Sequence, residues 1–119
     1  MNTKIIGAMG EAHVAEYFRK KRYKIAAKNF RSHMGEIDLI AVKRNKLNFI
    51  EVKLRKSGGA ARPADSVSRA KQSRLRATAD IWLAQNPSYA AMDMSFTVAE
   101  LYVDGDGRIE KMELIEEAF

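Results

Sequence analysis

The chain has 119 residues and 46% apolar content, enough for one hydrophobic core and too little for two, so one domain over residues 1–119 is expected. It contains no cysteine, which excludes disulfides, thiolate catalysis and Cys-based zinc or iron-sulfur sites and leaves oxygen or imidazole to hold any metal. Lys and Arg outnumber Asp and Glu by 21 to 15, and the net charge of +6 with a pI near 9.7 suits a polyanionic partner.

From about Thr3 to Lys21, Val14, Tyr17 and Phe18 recur at helical spacing beside Ala8, Ala12 and Ala15, which predicts an amphipathic first helix. Gly7 and Gly10 weaken it, since glycine in a helix costs up to about 1 kcal/mol relative to alanine, and their presence points to close packing. The apolar run Ile5 to Gly10 is too short for a signal segment and Glu11 interrupts it; no stretch approaches bilayer length, so a cytoplasmic protein without a membrane partner is expected.

Tyr23 to Asn29 reads as a short extended piece and Arg31 to Gly35 as a polar turn. Glu36 to Val42 and Leu47 to Leu54 are strand-like runs separated by Lys43-Arg44-Asn45-Lys46, a hairpin. Ser57 to Pro63 reads as a flexible loop, after which Asp65 or Ser66 can cap a second helix that runs to about Gln85 and ends at Asn86-Pro87. Ser95 to Val103 and Arg108 to Ile115 make a second strand pair around Asp104-Gly105-Asp106-Gly107, and only the last few residues look loose. The order helix, hairpin, helix, hairpin predicts an α/β fold, a central mixed β-sheet flanked by helices.

Two charged positions interrupt the apolar strands of the first hairpin. A hairpin closing symmetrically on Arg44-Asn45 opposes residues whose numbers sum to 89, so Ile40 faces Phe49, Asp38 faces Glu51 and Glu36 faces Lys53. Opposed carboxylates about 5 Å apart repel by roughly 3 kcal/mol at an effective dielectric near 20. A shared proton, a neighbouring cation or a bound metal would offset that. A hard cation such as Mg²⁺, which takes one or two carboxylates plus waters and phosphate oxygens, suits this pair beside a lysine. The alternative from spacing alone is a solvated sheet face on which Lys53 is an ordinary ion-pair partner.

Gly10-Glu11, Gly35-Glu36-Ile37-Asp38-Leu39-Ile40, Phe49-Ile50-Glu51-Val52-Lys53 and Lys71-Gln72-Ser73-Arg74-Leu75 resemble the YraN-type family of small bacterial proteins. That family is similar in motif order to Holliday-junction resolvases and to the restriction-endonuclease-like PD-(D/E)XK nucleases. The likeness covers roughly the first two-thirds of the chain. It implies a restriction-endonuclease-like fold with Asp38 and Glu51 as ligands of Mg²⁺ or Mn²⁺, Glu11 as an accessory ligand, Lys53 as the group that positions or activates water, and Gln72 lining the same site. Ile37 stands where the superfamily's name puts proline. The Arg-Phe-Asp-Val-Val-like strand usual in the family reads Asp93-Met94-Ser95-Phe96-Thr97-Val98 here, which leaves the part played by that strand open.

The cations gather in Arg19 to Arg22, Lys43-Arg44, Lys53 to Lys56 and Arg62 to Arg76, and the acids toward the C-terminus. Arg55, Lys56, Arg69, Lys71, Arg74 and Arg76 follow the candidate strand and are expected to hold a phosphate backbone. Asp104 to Gly107 lacks the later ligands of a calcium loop and reads as a turn. His13 and His33 lack zinc spacing, and Trp82 is expected in the core. The reading is a metal-dependent endonuclease acting on branched or single-stranded DNA in repair or recombination. A DNA-binding module that keeps the fold without turnover, a protein-interaction adaptor and a homodimer are left open.

Overall fold

The computed structural model describes residues 3–58 and 67–119. Helix α1 (Thr3–Lys20) precedes three successive strands, β1 (Lys24–Ser32), β2 (Gly35–Lys43) and β3 (Lys46–Lys56), followed by α2 (Arg69–Gln85), a single 3₁₀ turn, β4 (Asp93–Val103) and β5 (Ile109–Ile115). Most of the expected Ser57–Pro63 loop, Arg62 included, and the expected caps Asp65 and Ser66 lie outside the described residues. The cap that is seen is Ser68, whose hydroxyl accepts the Lys71 N–H.

The strands form one sheet in the order β1-β2-β3-β4-β5. All neighbours are antiparallel except β3 and β4, which run parallel over Lys46–Lys56 and Asp93–Val103. A parallel pair needs a crossover, and α2 lies on it. This is the expected α/β architecture, a mixed sheet flanked by helices and compatible with a restriction-endonuclease-like core.

The short extended piece expected at Tyr23 is a nine-residue strand. Its alternation is blurred because it sits at the sheet edge, half-solvated, and its register slips between Ile25 and Ala27.

Each face of the sheet carries one helix. Val14, Ala15 and Phe18 of α1 pack on Leu39, Ala41, Ile50, Ala99 and Leu101, while Leu75, Ala79 and Trp82 of α2 pack on Ile37, Ile40, Leu47 and Phe49. Trp82 is a core residue, edge-on to Phe49 at 6.2 Å. Gly10 serves close packing as expected: a Cβ there would meet Leu101 Cδ1 at 3.0 Å and Leu54 Cδ2 at 3.1 Å.

Helix α1 ends on a left-handed residue, Arg22 (φ 71°), with the Tyr23 N–H bonded to Phe18 O and the Arg22 N–H to Arg19 O, a Schellman arrangement that satisfies the last carbonyls. Asp104 to Arg108 is a hairpin turn in which Asp104 Oδ1 accepts two backbone N–H groups. The C-terminal residues expected to be loose are tied down. Ala118 donates its N–H to Phe96 O, and the Phe119 ring stacks on Phe96 at 4.6 Å.

Candidate active site

The β2–β3 ladder follows the expected register from Lys43↔Lys46 to Leu39↔Ile50 and then stops. Beyond Leu39, β2 pairs only with β1, and beyond Ile50, β3 pairs only with β4, so the sheet forks. The expected direct pairs Asp38–Glu51 and Glu36–Lys53 are therefore not ladder partners. Asp38 Oδ2 instead accepts the Val52 N–H at 2.7 Å, occupying the gap and satisfying an amide that lost its cross-strand carbonyl.

The side-chain alternation of β2 breaks at the same place. Ile37 and Ile40 pack together on the α2 side while Leu39 packs on the α1 side, an interval that period 2 does not allow. Asp38 lies at that break.

The carboxyl of Asp38 is pushed up to about 7, first by burial, then by the Glu51 charge, with smaller contributions from Glu11 and Glu36; the Val52 N–H opposes them. Glu51 follows Phe49 on the α2-facing side of β3, and its Oε1 takes the Lys71 ammonium at 3.1 Å. Lys53, next on that face, is in register with Glu100 of β4. Burial, then Lys71 and Arg55, pull the Lys53 ammonium below the usual lysine range, against Glu51 and Glu100. Arg55 Nε donates to Glu100 Oε2 at 2.5 Å, and its buried Nη2 has no hydrogen-bond partner among the described residues.

Glu51 thus lies close enough to act through its charge on both Asp38 and Lys53, and Glu11 acts on Asp38 in the same way. The amide of Gln72 donates to the Val67 carbonyl at 3.2 Å, bracing the start of α2. Of the expected phosphate-holding cations, Lys56, Arg69, Arg74 and Arg76 are exposed, whereas Lys71 and Arg55 are half-buried and engaged with acids of the site. At about 100° per residue the α2 cations spread around the helix rather than along one stripe. The guanidinium of Arg76 lies over the rings of Phe96 and Phe119 at 5.4 and 5.3 Å.

Sequence reasoning missed Glu100. It is 3% exposed in an otherwise apolar strand, and it carried the same signal as Glu51, a lone acid within a buried run. The strand whose contribution was left open therefore supplies an acid beside Lys53.

Carboxylate oxygens are the donors a hard divalent cation takes, and Asp38 and Glu51 lie near enough for the Glu51 charge to raise the Asp38 carboxyl. Among the described residues no three His, Asp or Glu side chains converge into a metal-holding group, so Glu11 does not complete a cage. Magnesium commonly binds through one or two carboxylates, with water and substrate oxygens completing the shell.

The profile described as "Uncharacterised protein family UPF0102" matches residues 10–102, the span that holds the fork, Lys71 and Glu100. The chain belongs to the UPF0102 family, the YraN family. It is 36% identical to a UPF0102 protein of Caldicellulosiruptor bescii over the full length of both chains. It is also 36% identical to one of Caldanaerobacter subterraneus subsp. tengcongensis, covering all of this chain and 98% of the relative. A third, from Alkaliphilus metalliredigens, is 35% identical over 98% of this chain and 99% of the relative. Among the described residues of this UPF0102 protein, no helix is long and apolar enough to cross a membrane.

Proposed function

We propose that this UPF0102 protein is a metal-dependent DNA endonuclease that acts on branched or single-stranded DNA in repair or recombination. The observation that carries the reading is the fork: a half-buried Asp38 bonded to the Val52 N–H, with Glu51 and Lys53 alternating along the adjoining strand. Phosphodiester hydrolysis needs a positioned nucleophile and neutralisation of charge on the phosphate.

Asp38 and Glu51 would hold Mg²⁺ or Mn²⁺, which when bound supplies charge neutralisation and acidifies a water. Lys53 has an ammonium whose basicity is lowered by burial and by neighbouring cations, so it is suited to orient a water and to offset charge developing on the phosphate. The Arg55–Glu100 pair flanks Lys53 along the same two strands. Exposed Lys56, Arg69 and Arg74 extend cationic surface outward, suiting phosphate contacts that select shape over base sequence.

The test is a cleavage assay on single-stranded, duplex, flap and four-way DNA, with and without Mn²⁺. Metal-dependent cutting of the branched or single-stranded forms, abolished by Lys53→Ala while binding persists, is expected. Binding without cleavage by the unaltered protein would leave a DNA-binding module. Cutting of intact duplex at one defined sequence would overturn the substrate class.

A further inference from the structure

We infer that Lys71 is a positioning residue: its ammonium holds Glu51 in the metal-free protein in the divalent cation's stead, and yields the carboxylate when that cation binds. This rests on the metal-dependent reading above and adds a competitor built into α2.

The geometry is specific. Lys71 Nζ lies 3.1 Å from Glu51 Oε1, with the lysine side chain 35% exposed and the glutamate 14%. The first turn of α2 is fixed by Ser68, whose hydroxyl accepts the Lys71 N–H at 3.2 Å. Lys71 stands one turn ahead of Leu75 and two ahead of Thr78, both buried against the sheet. A lysine on a helix's inward stripe normally has to carry its charge to solvent along its stem. This one ends on the carboxylate of the fork.

A nearly buried Glu51 beside Asp38 needs positive charge, and Lys71 provides it by direct contact while Lys53 acts through its charge. The residue type matters. A lysine is a point charge on a flexible four-carbon stem, whereas an arginine fork would lock the carboxylate bidentately. A single ion pair that is partly solvated is weak enough for a divalent cation to displace. The freed ammonium remains at the mouth of the site, within reach of an incoming phosphate. Two exposed acids on a surface would need no such partner; two acids at the end of a forked ladder do.

The test uses Mn²⁺ alone, without DNA, in calorimetric titrations of the full chain. Lys71→Ala should bind Mn²⁺ about two- to fivefold more tightly than the unaltered protein, the range for losing one partly exposed ion-pair competitor. Lys71→Arg, which restores a cation, should return the affinity to the original value or below. Arg74→Ala removes an exposed charge from the same helix and should have a smaller effect than Lys71→Ala. Unchanged or weaker binding by Lys71→Ala overturns the inference, as does equal tightening by Arg74→Ala, which would indicate only a diffuse field. If neither the unaltered protein nor Lys71→Ala binds Mn²⁺, the metal-dependent reading fails and this inference with it. In the unaltered protein, the Lys71 side-chain ammonium resonance should move when Mg²⁺ is added. An unmoved resonance while the Val52 amide responds would also overturn the inference.

Discussion

Asp38 Oδ2 accepts the Val52 N–H at 2.7 Å across the point where β2 and β3 part, so one acid both caps a strand amide and carries a charge that burial and Glu51 disfavour. The two tasks respond differently to substitution. Asparagine keeps an acceptor for Val52 and removes the charge, whereas alanine removes both.

The raised carboxyl gives a pH dependence with a definite sign. Between about pH 4 and pH 7 the folded protein holds a proton that the unfolded chain has released, so this group's contribution to stability falls as pH rises and is lost above about 7. In metal-free buffer Asp38→Asn should therefore melt above the unaltered protein at pH 8, with the gap closing toward pH 5. Asp38→Ala, which orphans the Val52 amide, should lose about 1–3 kcal/mol. A gap that does not change with pH would mean that the Asp38 carboxyl is not raised.

Metal should reverse the penalty. Added Mg²⁺ or Mn²⁺ is expected to raise the melting temperature, by about 2.7 kcal/mol of stability at 100 times the dissociation constant, and chelation to reverse it. Asp38→Asn and Glu51→Gln should each lose most of this response. Equal shifts in all three proteins would remove both carboxylates from the metal site.

Much of this was legible in the chain because strand periodicity and the closure on Arg44-Asn45 are local properties. The register from Lys43 to Leu39 followed from counting outward from that turn. The fork did not follow, since counting assumes that a ladder continues until the sequence stops it, and here the competing pairings β1–β2 and β3–β4 divide the strands. For the same reason the parallel β3–β4 contact and the Lys53–Glu100 register were hidden: they join segments separated by all of α2. The cations of α2 were visible as a run, but their division between the site, solvent and the Phe96–Phe119 rings depends on the packing of the helix.

The Arg55–Glu100 pair should be a stability element. Glu100 is 3% exposed, and removing Arg55 leaves its charge without that partner. Fully buried pairs lose about 3–5 kcal/mol when one member is removed; with Arg55 a quarter exposed, Arg55→Ala should cost about 2–3 kcal/mol in denaturant unfolding. Glu100→Gln, which keeps an acceptor for Arg55, should cost less. A loss below about 0.5 kcal/mol on Arg55→Ala would show that the pair is effectively solvated.

The two glycines of α1 should respond to alanine with opposite signs. Nothing lies within 4 Å of a Cβ at Gly7, so Gly7→Ala should gain about 0.5–1 kcal/mol from helix propensity. At Gly10 the same gain meets the fully buried Leu101 at 3.0 Å and Leu54 at 3.1 Å. Overpacking of that kind costs about 1–3 kcal/mol, so Gly10→Ala should be destabilising and Gly10→Val more so. Chemical denaturation of the three variants decides it; stabilisation by Gly10→Ala would show that Leu54 and Leu101 repack freely.

The free-standing and the ring-bound arginines on the exposed surface of α2 should separate in a salt titration. Arg69, Arg74 and Arg76 are all exposed, and the Arg76 guanidinium in addition lies over the rings of Phe96 and Phe119. If Arg69 and Arg74 each neutralise one phosphate, replacing both with alanine should flatten the slope of log affinity against log salt by about 1.4–1.8, since each contact contributes roughly 0.7 on single strands and 0.9 on duplex. Their removal should leave stability within about 0.5 kcal/mol, as expected for surface positions. Arg76→Ala should instead change the slope little and lose about 0.5–1 kcal/mol of stability through its ring contacts. Fluorescence anisotropy on a labelled flap substrate in the presence of EDTA, to prevent cutting, measures the slopes, and thermal melts measure the rest. Absence of binding at low salt would remove nucleic acid as the partner. A slope change for Arg76→Ala equal to that of Arg69 or Arg74 alone would instead put Arg76 on the phosphate backbone.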